Sequence, residues 1–304
     1  MVAASLSRRL VMRRLLARAL LLTILAVGSL AAYVWWGLPS SRAVRALVHE
    51  DPKETSVMRQ REREAARRGQ KLGRAQSSVP LPRISRHLIH AVVTAEDGKF
   101  FDHEGFDWEA IRQSAEKDWK ERRFARGGST ITQQLAKNLF FTTYKSPIRK
   151  LREFFVARRL EQELSKPRIL ELYLNVIEWG PGLYGCEAAA RRYYGKPAAA
   201  LDEVEAAGLA AMIPAPRSLN PLVAPRRHAA AQRRILWMMG QAGYLKNALG
   251  VVPAKEPPKV VVEEDAEPEP EPTPVAAPTP EPTPTPEPTP EPTPTPTVSP
   301  SPLQ

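Results

Sequence analysis

Cysteine is nearly missing from this 304-residue chain, with Cys186 standing alone. One thiol excludes an intramolecular disulfide and a multi-cysteine zinc site. Regular strand alternation is absent throughout, which argues against a core built on β-sheet. The S-x-x-K match "SAEK" (Ser114–Lys117) has no K-T-G triplet to accompany it, so acyl-serine chemistry is rejected. The D-x-D motif used by nucleotide-sugar transferases does not occur, and His87, His90, Asp102 and His103 do not fall at a metal-ligand spacing. Acidic residues are outnumbered, 33 Asp and Glu against 44 Lys and Arg, giving a net charge of +11. That excess points to an anionic partner: nucleic acid, a lipid surface or a phosphorylated substrate.

What is present is unevenly spread. Arg8, Arg9, Arg13, Arg14 and Arg18 occupy a basic segment, 1–18, before the uncharged run "ALLLTILAVGSLAAYVWWGLP" at 19–39. About 20 apolar residues cross a bilayer as a helix. Tyr33, Trp35 and Trp36 lie at the far end, where interfacial aromatics belong. Arginines ahead of the run hold the N-terminus in the cytoplasm, so everything after Pro39 is expected outside. A cleaved signal peptide is the competing reading, but Ser29-Leu30-Ala31 is a weak cleavage site and the run is long for a signal core. Residues 40–77 are charged and helix-prone ("MRQREREAARRGQKLGR") and read as a solvated juxtamembrane connector.

From 78 to 249 the apolar residues recur at helical spacing, predicting one mainly α domain. In "ILELYLNVIEW" the residues Ile169, Leu172, Tyr173 and Val176 share a face, Ser165 can cap the helix and Pro167 suits its first turn. "EVEAAGLAAMI" (203–213) predicts a buried helix. Trp108, Trp119, Phe124, Leu139, Phe140 and Phe141 read as core, with membrane contact as the alternative. Beyond Gly250 the composition changes to "EPEPEPTPVAAPTPEPTPTP", a low-complexity tail over 250–304 with no apolar surface to bury. Such a segment is expected to be disordered and extended, a spacer reaching on the order of 150 Å.

Three stretches can carry chemistry. "TAEDGKFFDHEGFD" (94–107) holds Glu96, Asp97 and His103. "GGSTITQQLAKN" (127–138) opens with a glycine turn, and Thr130, Gln134 and Lys137 follow on one helical face beside a buried face of Ile131, Leu135 and Leu139. Free amides at that helix start, with a lysine nearby, would suit an anion, although an ordinary capped amphipathic helix explains the pattern equally well. "RKLRE" (149–153) places Arg149 and Glu153 one turn apart, by default an exposed ion pair worth a few tenths of a kcal/mol, ~0.3. Together they supply two carboxylates and several cations. Transfer of a sugar from a phosphate leaving group needs that set: a base for the acceptor hydroxyl and positive charge for the departing phosphate.

"EDGKFFDHEGFD", "GGSTITQQLAKN", "RKLRE" and "KPRILELYLNVIEWGPGLYG", in this order, resemble the signature motifs of the peptidoglycan glycosyltransferases, glycosyltransferase family 51. The resemblance covers roughly 78–225. With one anchor and a short core, the chain is similar to the monofunctional biosynthetic transglycosylases within that family. The resemblance implies a lysozyme-like helical domain with head and jaw lobes, acting on lipid II and a growing lipid-linked glycan at the outer face of a bacterial inner membrane. The partner would then be membrane and lipid-linked sugar, with cell-wall synthesis or division proteins alongside, and not nucleic acid. It implies that Glu96 is the general base and Glu153 the second essential acid. It further implies substrate-binding roles for Asp97, Phe100, His103, Ser129, Thr130, Gln133, Gln134, Lys137, Arg149 and Lys150, with Lys137 and Arg149 on the donor pyrophosphate. No metal site and no required cofactor follow, a divalent cation (Mg or Mn) being optional. Displacement at the anomeric centre would invert configuration to a β-1,4 glycan.

Burial beside Phe100 and Phe101 is expected to raise the Glu96 pKa. Asp102, Glu104 and Asp107 read as solvated or capping residues. Cys186 stands where aliphatic residues are usual and is assigned no role. A lysozyme-like wall hydrolase is the enzymatic alternative, but hydrolysis has no need of a lysine–arginine pair for pyrophosphate. A membrane-anchored scaffold is the non-enzymatic one, and intact motifs at every matched position argue against it.

Overall fold

The structure, a computed structural model, describes residues 2–121 and 128–245. The proline-rich tail, Phe124 and the side chain of Trp119 lie outside the described residues. Helix α1 (Val2–Trp36) contains the apolar run, and its lipid-suited side chains, among them Leu20, Leu22 and Val27, are exposed. It is long and apolar enough to cross a membrane.

The anchor does not end in free chain. Arg152 donates from Nη2 to Tyr33 O (2.6 Å) and from Nε to Val34 O (3.2 Å), while Arg159 donates to Pro39 O (2.9 Å). Cations thus satisfy carbonyls at the C-terminal end of α1, where the helix dipole is negative. A Cβ at position 37 would lie 2.1 Å from the Arg152 guanidinium carbon, so a side chain there would displace that arginine from the carbonyls.

The expected solvated connector is corrected by the structure. Helices α2 (Ser41–Ala46) and α3 (Ser56–Arg67) both bury apolar residues: Val44 on the first, Val57 and Met58 on the second. Arg61 of α3 donates to Glu178 at 3.0 Å across 117 residues, and Gln60 exchanges two hydrogen bonds with Thr143. The strand β1 (Ala75–Gln76) then pairs in parallel with β3 (Leu183–Tyr184), which pairs antiparallel with β2 (Glu178–Gly180). So the domain starts well before residue 78. This three-stranded patch escaped the sequence reading because its strands are two or three residues long, too short to show alternation.

The core is helical as expected. In chain order follow α4 (Arg86–Glu96), α5 (Trp108–Glu121), α6 (Ile131–Phe140), α7 (Pro147–Glu163), α8 (Lys166–Val176), α9 (Cys186–Tyr194), α10 (Glu203–Met212) and α11 (Pro225–Gln241). Helix α8 starts as its sequence says, with Ser165 Oγ accepting from Arg168 N and Pro167 in the first turn. Its buried side chains run all round, from Ile169 through Val176, so it is the axis on which α6, α7 and α9 pack. Each fully buried leucine or isoleucine there contributes about 1.5–3 kcal/mol. The alanine-rich α10 lies buried between α4 and α11, its small side chains permitting close approach. Leu139 and Phe141 are core, as expected, whereas Trp108 is 65 % exposed and leans on the stacked pair Phe106–Phe154. Cys186 is fully buried, and burial pushes its thiol up to about 12. It is inert packing.

Candidate active site

Helix α4 ends at Glu96, and the next residue turns back to seal the start of α6. Asp97 Oδ2 accepts from Ile131 N (2.9 Å), and Oδ1 lies 2.9 Å from His103 Nε2. The Gly105 amide donates to His103 Nδ1 at 3.1 Å, so the imidazole proton sits on Nε2 and points at Asp97. Thr130 Oγ1 donates to Gly105 O (2.7 Å), closing the loop onto the helix it precedes. Gly105 has φ +87°, which a side chain would strain, and a Cβ there would also press on Glu161. Asp107 accepts from Ala110 N and caps α5, in line with its expected role.

Two expectations change here. Asp97, Phe100 and His103 were expected to bind substrate, but Asp97 and Phe100 are buried, His103 is partly buried, and the Asp97 and His103 side chains pair with each other. Phe100 has no exposed surface and carries the Lys166 ammonium over its ring at 4.5 Å. They brace the loop that presents Glu96. Two of the amides at the start of α6 are occupied: Ile131 N by Asp97, and Gln133 N by Thr130 Oγ1 in a reciprocal capping box. Thr130 and Gln133 are accordingly buried cap residues.

The reachable groups form a second layer above this brace. Gln134 Nε2 donates to Glu96 Oε2 at 2.6 Å, and Gln134 Oε1 accepts from the Tyr173 hydroxyl at 3.0 Å. Burial raises the Glu96 pKa; the Gln134 hydrogen bond and the Lys137 charge oppose that rise, and Asp97 adds to it. Phe101, expected to share in burying Glu96, is 56 % exposed instead. Lys137 is half-buried on α6, and burial pushes its ammonium below the ordinary lysine range. The charges of Glu153 and Glu96 oppose that fall, and those of Arg149 and Lys150 add to it.

Glu153 is 2 % exposed, in place of the solvated pair that its spacing suggested. Arg149 donates to its Oε1, and Lys150 Nζ lies 3.6 Å from Oε2. Lys150 also donates to Ser129 Oγ (2.6 Å) and reaches Gln133 Oε1 (3.5 Å), tying α7 to the start of α6. Both oxygens of Glu153 thus face cations. Among the described residues no group of three or more His, Cys, Asp or Glu side chains could hold a metal ion.

Two contributors were missed in the sequence. Tyr173 read only as an apolar face of α8, although a buried tyrosine hydroxyl usually finds a partner and could have signalled one. Glu161 accepts from Thr132 Oγ1 at 2.5 Å and from Lys166 at 2.9 Å, in a network whose members lie up to 34 residues apart in sequence.

A family model described as "Transglycosylase" matches residues 62–240. Among similar proteins, a biosynthetic peptidoglycan transglycosylase from Azoarcus sp. (strain BH72) is 45% identical over 228 residues, covering 74% of this chain and 94% of that protein. One of the same name from Dechloromonas aromatica (strain RCB) is 48% identical over 196 residues, 64% of this chain and 85% of that protein. A third, from Methylobacillus flagellatus, is 57% identical over 139 residues, 46% of this chain and 61% of that protein.

Proposed function

The chain belongs to the transglycosylase family and is a peptidoglycan glycosyltransferase; we propose that it polymerises lipid II with Glu96 as the general base. One observation carries the reading: α6, which bears Lys137, holds Glu96 through Gln134 at 2.6 Å and packs against α7, which bears the Glu153–Arg149–Lys150 cluster. Glu96 takes the proton from the acceptor sugar's 4-hydroxyl as its oxygen attacks C1 of the donor. The bond from C1 to the pyrophosphate oxygen breaks, and its electron pair leaves with undecaprenyl pyrophosphate. Attack from the side opposite the leaving group inverts C1 to the β configuration.

Lys137 and Arg149 face the charge that develops on the departing pyrophosphate, and Lys150 adds to it. Positive groups fixed before reaction do not reorganise during it, which is where such sites gain most. Glu153 keeps the Arg149 and Lys150 side chains in place against their mutual repulsion. A divalent cation held chiefly by the pyrophosphate is optional to this scheme, and no step is routed through one. The orientation follows from the arginines in the first part of α1, ahead of its apolar run: N-terminus in the cytoplasm, catalytic domain outside the bacterial inner membrane on a single-pass anchor.

The test is incubation of the purified protein with labelled lipid II. Wild type is expected to give long glycan strands. Glu96→Gln and Lys137→Ala are expected to give none while remaining folded. Polymer from Glu96→Gln at the wild-type rate would remove the base assignment.

A further inference from the structure

The hydrogen bonds around Gln134 have a direction, and that direction bears on the charge of Glu96. Tyr173 is fully buried on α8, and its hydroxyl donates to Gln134 Oε1 (3.0 Å), which turns Nε2 toward Glu96 (2.6 Å). If the amide were reversed, Oε1 would face Glu96 and Nε2 would face the tyrosine hydroxyl. That arrangement suits Glu96 only when it is protonated, because a carbonyl oxygen repels a carboxylate and accepts from a carboxylic acid. It would also leave the tyrosine proton buried without an acceptor, at a desolvation cost.

We propose that Tyr173 is a positioning residue that locks the Gln134 amide and thereby holds Glu96 in its ionised, proton-accepting form. This rests on the reading of Glu96 as the base. Burial favours the neutral acid, and the charges acting on Glu96 are Lys137 of α6 and Asp97 of its own loop. On the other faces of α4, His87 lies near Glu203 of α10 (3.6 Å) and His90 stacks on Tyr244 beyond α11. Tyr173 itself stays protonated, since burial and the charges of Glu96 and Asp97 all oppose its ionisation. The lock therefore holds across the working pH range.

The experiment is the pH dependence of lipid II polymerisation for wild type, Tyr173→Phe, Gln134→Ala and the double variant. Phenylalanine keeps the ring that fills the core, and unfolding curves check that the fold is kept. Tyr173→Phe should move the acid limb of the profile up by about one pH unit, because the freed amide can now accept from protonated Glu96. In the Gln134→Ala background the same change should add no shift. A uniform fall in rate with the acid limb unmoved would reduce Tyr173 to packing and overturn the proposal. A full additional shift without Gln134 would overturn it as well. Glu96→Gln separates the two levels: if that variant polymerises, the base reading fails, and if it is dead while Tyr173→Phe leaves the limb in place, only the lock fails.

Discussion

Replacing Asp97 separates bracing from substrate binding. Its carboxylate accepts from Ile131 N and from His103 Nε2, each at 2.9 Å, and is 7 % exposed. Asp97→Ala leaves both donors buried without acceptors, at about 1–3 kcal/mol each. Part of that is offset because a buried charge is no longer desolvated, so the net loss is about 3 kcal/mol. For a domain of this size it corresponds to a fall in Tm of roughly 6–12 °C. Asp97→Asn should cost less, about 1–2 kcal/mol. Its single oxygen can accept from only one of the two donors, and the imidazole cannot switch tautomer while the Gly105 amide donates to Nδ1. Calorimetry on both variants reads the stability. Steady-state polymerisation well below the melting point should give a KM for lipid II close to wild type, with activity lost on warming. An unchanged Tm with a raised KM would refute the bracing role and put Asp97 on the substrate.

Glu96→Gln should melt higher than wild type at neutral pH while losing the proposed base. Because burial raises the folded pKa, the carboxylate lowers stability once ionised. The penalty is absent below the ordinary carboxylate pKa of about 4.3, grows as pH rises through the raised value, and is full above it. The variant's advantage should therefore shrink as the melts are moved to acid pH, and a constant advantage would contradict the sign. Gly182→Ala should destabilise by about 2–4 kcal/mol, read by urea titration, because position 182 needs positive φ. It has φ +70°, and a Cβ would come 2.2 Å from Gly73 O, a backbone atom that cannot step aside. A melt within error of wild type would mean that the β1–β3 patch is not closed this tightly.

Local signals carried far in this chain. The apolar run with flanking arginines marks the anchor, Ser165 and Pro167 begin α8, and the spacing of Ile131, Leu135 and Leu139 gives the buried face of α6. Each depends only on neighbours within a turn or two, so one stretch of sequence contains the whole cause. The motif residues were legible for the same reason, as types of group at fixed spacing.

What those residues do was decided elsewhere. Asp97 is a brace because Ile131 comes to it from 34 positions away, and Glu153 is buried because α7 packs on α6 and α8. Arg61 joins the domain because Glu178 waits 117 residues on, which turned an expected solvated connector into core. A charged side chain in a sequence carries no record of whether water or another chain segment will satisfy it. By itself the sequence determined the membrane run, the helices and the set of chemical groups. Which of those groups are spent on each other, and which, like Glu96 and Lys137, stay partly exposed, came from the folded arrangement, because burial and long-range pairing set the charge and freedom of every polar group.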